Sequence, residues 1–356
     1  MVSHDLIADI LSRLPVKHLL CLRTVSKLWR SLIDDPDFIN LHLSRSLRTR
    51  TNHTLILKNT DLHATDLSSL APFAKLEHPL MSYNHGVEIL GSCNGLLCIR
   101  NIVEDMAIWN PSTRKYQVLP YLGSCRGYVC GFGHDPIKDD YKVVKIIQLD
   151  RVDAAKPLET EVKVCSLKRN RWRKIQGILS SFPRANGVFA GGALHWVFTQ
   201  KIDLLVKNLI FALDLAAESF NEVPQPEYKD DIFQLNIGVL GGCLCVVANH
   251  RDARVDLWVM KEYGVKESWT VLFSLAREDV HKSDDVWAPG MPPSYETEIC
   301  LQSLVSLNVD KRQQNGDDNG DVKKIQVKKK GKRMLHWSSG TEVLATSPSF
   351  SYCLRR

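Results

Sequence analysis

The first 45 residues carry apolar side chains at the spacing of short amphipathic helices. Apolar residues that share one broad helical face are Leu6, Ile7, Ile10, Leu11 and Leu14. Pro15 follows directly. Because proline disfavours helix in the residue before it but suits the first turn of a helix, one helix should end near Leu14 and another should begin after it.

Two further helices are predicted after this break. The second carries Val16, Leu19, Leu20 and Leu22, and the third, from about Ser26 to Ile33, carries Leu28, Trp29, Leu32 and Ile33. The run Asp34-Asp35-Pro36 should end the third helix. Three short helices have more apolar side chains here than a bundle of this size can enclose. Periodicity alone leaves two possibilities: a partner protein covers the surplus, or all of them pack inward or against the next domain.

From about residue 88 the pattern changes to short β-rich runs punctuated by glycine. One element recurs, since Asn94–Cys98 (NGLLC) returns as Gly191–Trp196 (GGALHW) and again as Gly241–Cys245 (GGCLC). The spacing corresponds to a period of about fifty residues, with one unmarked unit between the first two copies.

A second marker has the same period. An aromatic residue begins a strand after a hairpin turn at Tyr116, Trp172, Phe220 and Trp269. Such a repeat is typical of a kelch-like β-propeller, in which each unit is a small sheet that buries its faces only against its neighbours. Four units are recognisable in the sequence.

Composition indicates a globular protein inside the cell. Of 356 residues, 44% are hydrophobic and 24% are charged, and no apolar run is long enough to cross a bilayer. The first residues lack the basic region of a signal peptide, so the chain is expected in the cytoplasm, the nucleus or both. The ten cysteines lack zinc-site spacing, so we interpret them as reduced thiols and predict no metal and no cofactor.

The net charge of +6 is concentrated near the C-terminus, where Lys323–Arg333 contains basic residues and no acid. The rest of the chain is close to balanced and has no RNA-binding signature or recognition-helix pattern, so nucleic acid is not expected as a partner. Residues 308–356 are expected to form a disordered basic tail. Its cluster Lys328–Arg333 is a candidate nuclear-import signal, although a solvated basic run is the simpler interpretation.

The N-terminal residues resemble the F-box, the module that docks a protein onto the Skp-type adaptor of a cullin-RING ubiquitin ligase. The matching residues are Ile10–Lys17, Leu19-Leu20, Val25–Lys27, Trp29-Arg30 and Asp35–Phe38. Plant F-boxes usually open with Leu-Pro, whereas this chain has Val2-Ser3. By this resemblance, the adaptor-facing residues are Leu6, Ile10, Leu14, Pro15, Val16, Leu19 and Leu20, and the bundle core contains Val25, Trp29 and Ile33.

The region from about 88 to 275 resembles the F-box-associated domain of plant F-box proteins. The matching residues are Gly91–Leu96, Trp109–Arg114, Gly131–Asp135, Asp139–Val144 and Ser268-Trp269. Among such proteins the chain looks most like those of the constitutive-expresser-of-PR-genes type. The resemblance implies a multidomain α + β protein: a small three-helix F-box followed by an all-β kelch-like propeller that holds a target for ubiquitination.

Four segments are expected in this chain. They are an F-box at 1–45, a connecting segment at 46–87, the propeller domain at 88–307 and the basic tail at 308–356. Family members usually continue after Phe273 through another unit, which is absent here. The chain leads instead to Leu301–Leu307, which resembles the usual terminal strand. The propeller is therefore expected to be incomplete at its C-terminal end.

We interpret the chain as the non-catalytic substrate-recognition subunit of a Skp-cullin-F-box (SCF) ubiquitin ligase with an unidentified target. Two alternatives stay open: a truncated relative that binds the adaptor but no target, and a propeller enzyme. Against the enzyme, Gly91–Gly95 lacks a base and the serine-elbow spacing, and the acids within His134–Lys142 fit a turn. The loops Asp150–Glu161 and Pro224–Asp231 are candidates for the target face, but no substrate-binding residue is assigned.

Overall fold

The computed structural model describes most of the chain that precedes residue 308. The described residues are 4–58, 61–67, 73–80, 86–123, 125, 127–149, 160–177, 181–202, 205–228, 232–250, 254–276 and 296–307. They fall within one unit, Met1–Leu307. The expected basic tail, with Lys328–Arg333, lies outside the described residues.

Four α-helices form the N-terminal region: α1 (His4–Leu11), α2 (Val16–Leu22), α3 (Lys27–Ile33) and α4 (Pro36–Thr49). The predicted break between α1 and α2 is present, and Pro15 caps α2 with an extended backbone (φ −58°, ψ 147°). Ser26 caps α3, because its Oγ accepts a hydrogen bond from the backbone N–H of Trp29 at 3.1 Å.

The fourth helix is an addition to the three that the sequence predicts. The run Asp34-Asp35-Pro36 ends α3 as expected, but it also begins α4. The Asp35 carboxylate accepts hydrogen bonds from the backbone N–H groups of Asp37 (2.8 Å) and Phe38 (3.4 Å), and Pro36 occupies the first turn, where its missing N–H is no loss. Residues that stop one helix therefore start the next one.

A small apolar core holds the four helices together. Its buried side chains are Leu11, Val16, Leu19, Leu32, Ile33, Phe38 and, from near the end of the described chain, Leu304. Trp29 packs against this core, whereas Val25, expected inside it, is 69% exposed. Val25 precedes the N-cap of α3, so it lies outside the helical face that packs inward.

The part of the chain that the structure describes contains twenty strands in five four-stranded sheets, the blades of a propeller. Blade 1 contains β1 (His53–Lys58), β2 (Leu62–Asp66), β3 (Ala74–Leu76) and β20 (Glu296–Leu301); blade 2 contains β4 (Glu88–Cys93), β5 (Leu96–Arg100), β6 (Met106–Trp109) and β7 (Tyr116–Val118). Blade 3 contains β8 (Tyr128–Asp135), β9 (Asp140–Gln148), β10 (Thr160–Ser166) and β11 (Arg171–Ile175). Blade 4 contains β12 (Val188–Ala190), β13 (Ala193–Ile202), β14 (Leu205–Asp214) and β15 (Phe220–Glu222); blade 5 contains β16 (Ile232–Leu240), β17 (Cys243–His250), β18 (Arg254–Met260) and β19 (Trp269–Ala276), the last preceded by a 3-10 helix at Lys266–Ser268. The predicted all-β propeller is confirmed.

Blade 1 is built from two segments that are far apart in the sequence. Strand β20 pairs antiparallel with β1, so that His53 lies opposite Leu301 and Lys58 lies opposite Glu296. The structure thus adds detail to two expectations. Residues 46–87, expected as a connecting segment, contribute three strands, and the described chain contains five four-stranded sheets where four units are recognisable in the sequence. Strands β1–β3 lack the glycine pair and the aromatic marker, so the repeat pattern does not reveal them.

Residues 302–307 follow β20 and join the propeller to the helices. The backbone N–H of Gln302 donates to the carbonyl of Asn52 at 2.7 Å, and the side-chain amide of Asn110 donates to the carbonyls of Ser303 (3.1 Å) and Val305 (3.0 Å). Gly95 has φ +81°, and a Cβ atom there would lie 2.3 Å from the Ser303 hydroxyl. Glycine is therefore needed both for the turn and for the close approach of this segment.

Apolar side chains fill the spaces between neighbouring blades. Blades 1 and 2 share a cluster that contains Ile56 and Trp109, blades 3 and 4 one that contains Trp196, and blades 4 and 5 one that contains Val246. Blades 2 and 3 are joined in part by hydrogen bonds, such as the one from the Trp172 indole N–H to the Pro120 carbonyl at 2.7 Å. Successive sheets from blade 1 to blade 5 thus bury faces against one another, as the repeat predicts.

His195 on β13 is fully buried. Its Nε2 lies 2.8 Å from the Tyr263 hydroxyl and its Nδ1 lies 3.3 Å from the Val188 carbonyl. Burial lowers the pKa of His195 to about 4, although hydrogen bonds to backbone carbonyls oppose the shift. The folded protein therefore holds this imidazole in its neutral form.

Leu304→Ala should lower the free energy of unfolding by about 2–4 kcal/mol, because it opens a cavity in the helical core from the propeller side. Urea unfolding followed by circular dichroism measures the effect. Leu272→Ala, at a position 57% exposed on β19, is the matched control and should change stability by no more than about 0.5 kcal/mol. Equal, small effects of both substitutions would contradict the insertion of Leu304 into the core.

Stability should fall as the pH drops through the range between about 6.5 and 4, because the unfolded chain binds a proton at His195 that the folded protein excludes. Between pH 7 and pH 5 this one group should remove roughly 2 kcal/mol from the free energy of unfolding. Urea titrations at both pH values should show a smaller decrease for His195→Gln than for wild type. His18→Asn, at an exposed position of α2, should retain the wild-type decrease.

Candidate functional site

The N-terminal helices present an exposed apolar surface. On α1, Leu6 is 52% exposed and Ile10 is 51% exposed, and their spacing of four residues places them on one face. Pro15 is exposed, and Leu14 and Leu20 are half-buried. Five of the seven predicted adaptor-facing residues are therefore accessible at this surface.

The other two predicted residues lie inside the bundle. Val16 is 1% exposed and Leu19 is fully buried, and both belong to the core that includes Leu304. Their position suits support of the accessible residues rather than direct contact with a partner. Helical periodicity cannot separate the two groups, because the inward and outward faces of these short helices are both apolar.

Two further apolar residues of the helical region are exposed. Val25 is 69% exposed and Leu28 is 64% exposed. Sequence reasoning did not assign either to adaptor contact. The helical pattern of α3 could have indicated the exposure of Leu28, because Leu28 lies off the inward face that Trp29, Leu32 and Ile33 define.

Charged side chains border the apolar surface. The Arg23 guanidinium pairs with the Asp34 carboxylate at 2.5 Å and 2.9 Å. Asp9 pairs with Arg13 at 2.6 Å and with Arg45 at 2.9 Å, and these hydrogen bonds lower the pKa of Asp9. An apolar centre with a polar border is the usual anatomy of a protein-binding surface.

The propeller has one end beside the helices and one end away from them. The β4–β5 turn at Gly95 contacts Ser303, and the β16–β17 turn at Gly241 lies beside Arg50, which caps α4. Because strands alternate in direction, the β5–β6, β9–β10 and β15–β16 connections lie at the opposite end, which we call the free end.

Both predicted target loops belong to the free end. The first, Asp150–Glu161, connects β9 to β10, and its residues 150–159 lie outside the described residues. The second, Pro224–Asp231, connects β15 to β16, and the structure describes it only as far as Tyr228. Their contact with a target stays a prediction.

The residues considered for catalysis have structural roles. The Ser92 hydroxyl donates to the Glu298 carboxyl group of blade 1, and burial raises the pKa of the Cys93 thiol, which keeps it protonated. Asp135 accepts hydrogen bonds from the backbone N–H groups of Ile137 (3.0 Å) and Lys138 (3.1 Å) in the β8–β9 turn. This is the turn geometry that the sequence indicates.

Where the structure describes the chain, no group of three His, Cys, Asp or Glu side chains is placed to hold a metal ion. No described helix is both long and apolar enough to cross a membrane.

A helical module with an exposed apolar face, joined to a β-propeller, is typical of a protein-binding class of molecule. Comparison with known families specifies it. The family described as "F-box associated beta propeller domain" matches residues 52–300, and the family described as "F-box domain" matches residues 2–41. The chain belongs to the F-box proteins that carry an F-box-associated β-propeller.

Curated relatives agree with this assignment. The chain is 40% identical to F-box protein CPR1 of Arabidopsis thaliana, over 85% of this chain and 79% of the relative. It is 33% identical to F-box protein At4g22390 of the same plant, over 86% of this chain and 81% of the relative. The resemblance expected from the sequence is confirmed.

Leu19→Ala and Ile10→Ala should have different effects on stability. Leu19→Ala should cost about 2–5 kcal/mol because it removes a fully buried side chain, whereas Ile10→Ala should stay within about 0.5 kcal/mol because Ile10 is exposed. Urea unfolding of the full chain measures both. A large loss for Ile10→Ala would mean that α1 packs through the face assigned here to solvent.

Proposed function

We propose that the chain is the substrate-recognition subunit of an SCF ubiquitin ligase. One observation carries the proposal: an F-box with an exposed apolar face shares its core with the segment that completes blade 1, through Leu304. Adaptor binding at the helices would therefore fix the position of the propeller. Ubiquitination by this chain and the identity of its target are part of the proposal.

The adaptor contact is proposed to be the apolar surface of the helices. Its accessible members are Leu6, Ile10, Leu14, Pro15 and Leu20, to which the structure adds Val25 and Leu28. Val16 and Leu19 hold these residues in place from the core. Exposed apolar side chains on a small helical module favour a protein partner, because leaving large apolar surfaces in water is unfavourable.

The proposed mechanism is positioning. The helices bind the Skp-type adaptor and through it the cullin-RING assembly, while the free end of the propeller holds the target. A separate conjugating enzyme supplies the activated ubiquitin. Holding a target lysine near that carrier replaces a bimolecular encounter with a nearly intramolecular one, so the receptor needs no catalytic residue of its own.

The competing proposal is a truncated relative that binds the adaptor but holds no target. None of the five described sheets lacks a strand, since each has four. This favours a propeller that can hold a target. The chain is proposed to act in the cytoplasm, the nucleus or both, with Lys328–Arg333 as the candidate import signal.

Replacing Leu6 and Ile10 together by Asp should weaken binding to a purified plant Skp-type adaptor at least about tenfold, because it places charges in the apolar contact. Isothermal titration calorimetry with the full chain measures the affinity. Ile137→Asp is the matched control, since Ile137 is 81% exposed in the β8–β9 turn of the propeller and should leave the affinity unchanged.

The outcomes separate the candidate functions. A folded wild-type chain that fails to bind the adaptor at micromolar concentration would rule out the receptor and favour a different activity of the propeller. Adaptor binding without any chain-dependent ubiquitination in plant cells would favour the relative that holds no target.

A further inference from the structure

The β5–β6 connection of blade 2, residues Asn101–Asp105, displays two apolar side chains at the free end of the propeller. Ile102 is 57% exposed and Val103 is 42% exposed. The location follows from the register of blade 2, because the β4–β5 turn touches Ser303 near the helices and β5 runs from there to Arg100.

The backbone of this loop is fixed by one side chain. The Asn101 carbonyl oxygen Oδ1 accepts hydrogen bonds from the backbone N–H groups of Val103 (3.1 Å) and Asp105 (2.9 Å). The backbone N–H of Asn101 also donates to the Asp105 carbonyl at 3.1 Å. Glu104 adopts a left-handed conformation with φ +70°, which costs a non-glycine residue free energy unless its surroundings hold it there.

A charged network beneath the loop holds Glu104. Its carboxylate accepts a hydrogen bond from the Tyr128 hydroxyl and lies 3.5 Å from the Arg100 guanidinium and 3.8 Å from the Lys145 ammonium group. Arg100 also pairs with Glu88. The Arg100 guanidinium carbon and the Lys145 Nζ lie 4.7 Å and 3.4 Å from the centroid of the Tyr128 ring.

This network is more than a β-hairpin needs. Lys145 is 2% exposed, and removing a lysine from water is costly even with partners nearby. A two-residue turn closes a hairpin without any buried charge. The network thus joins blades 2 and 3 and also holds the tip of this loop in one conformation. The apolar side chains of the tip are exposed.

A neighbouring loop adds an aromatic residue to the same rim. The backbone N–H of Leu119 donates to the Met106 carbonyl at 2.9 Å, so the chain after β7 runs beside the β5–β6 loop. Tyr121 follows and is 65% exposed. Among the described propeller residues, Ile102, Val103 and Tyr121 are the exposed large apolar side chains at the free end, and we call them the tip patch.

We propose that the tip patch is the primary contact for the target, an inference that rests on the proposed function. A pre-organised aliphatic pair with an exposed tyrosine at the same end of the same blade has the composition of a binding hot spot and loses little conformational entropy when it is buried. Asp105 is exposed at the edge of the patch, whereas the carboxylate of nearby Glu88 is already paired with Arg100. The partner that fits is a target surface with an apolar pocket bordered by lysine or arginine.

The test compares ubiquitin-remnant profiles of plant cells that produce wild type or the triple variant Ile102→Ser/Val103→Ser/Tyr121→Ser. All three positions are exposed, so the variant should keep its melting temperature and its adaptor affinity. Proteins whose ubiquitination depends on the wild-type chain should lose at least about tenfold of that signal in the triple variant. Ile137→Ser, the control at the helix end of the propeller, should retain the signal.

A separate variant tests the charged border of the tip patch. Asp105→Asn keeps the side-chain shape and removes the charge, and it should reduce the same signal about threefold. An unchanged signal in Asp105→Asn would overturn the basic border assigned to the partner. A triple variant that ubiquitinates the same proteins as wild type would overturn the tip patch while leaving the proposed function intact. A wild-type chain that binds the adaptor but alters no ubiquitination would overturn the proposed function and this assignment with it.

Discussion

The antiparallel pairing of β1 with β20 is the interaction on which the rest of the molecule depends. It joins His53–Lys58 to Glu296–Leu301 and so completes blade 1 from two segments that are distant in the sequence. The residues after β20 extend the same contact, because Asn110 holds their carbonyls and Leu304 enters the core of the helices. One stretch of chain thereby completes a sheet and a helical bundle.

This arrangement gives the two surfaces of the protein a defined separation. The apolar face of α1 and the free end of the propeller are connected through packed side chains rather than through a flexible linker. In the proposed function, the rigid parts between the two surfaces would set the distance between a bound target and the ubiquitin carrier. The buried charges around Glu104 extend the same rigidity to the far rim of blade 2.

Local features of the sequence predicted most of the fold. Pro15 and the apolar spacing around it reveal the first helices, and the glycine pairs with their aromatic partners reveal the repeating sheets. The repeat pattern does not reveal blade 1, because its strand β20 lies more than 200 residues after β1 and the blade has no contiguous repeat in the sequence. In the candidate site, helical periodicity identifies the apolar residues but not their direction: Ile10 faces solvent whereas Leu19 faces the core. The network at Glu104 depends on contacts between blades 2 and 3 and has no sequence pattern at all.

The position of Leu304 also sets an order of events during protein synthesis. The F-box residues leave the ribosome first, but their core lacks a side chain that is made more than 250 residues later. Until then the helices have an unfilled space where that leucine belongs, and they are held together less firmly. In the proposed function, a nascent or prematurely terminated chain would therefore offer the adaptor a less stable F-box than the finished chain does. The fold itself thus discriminates between complete and incomplete copies of the protein.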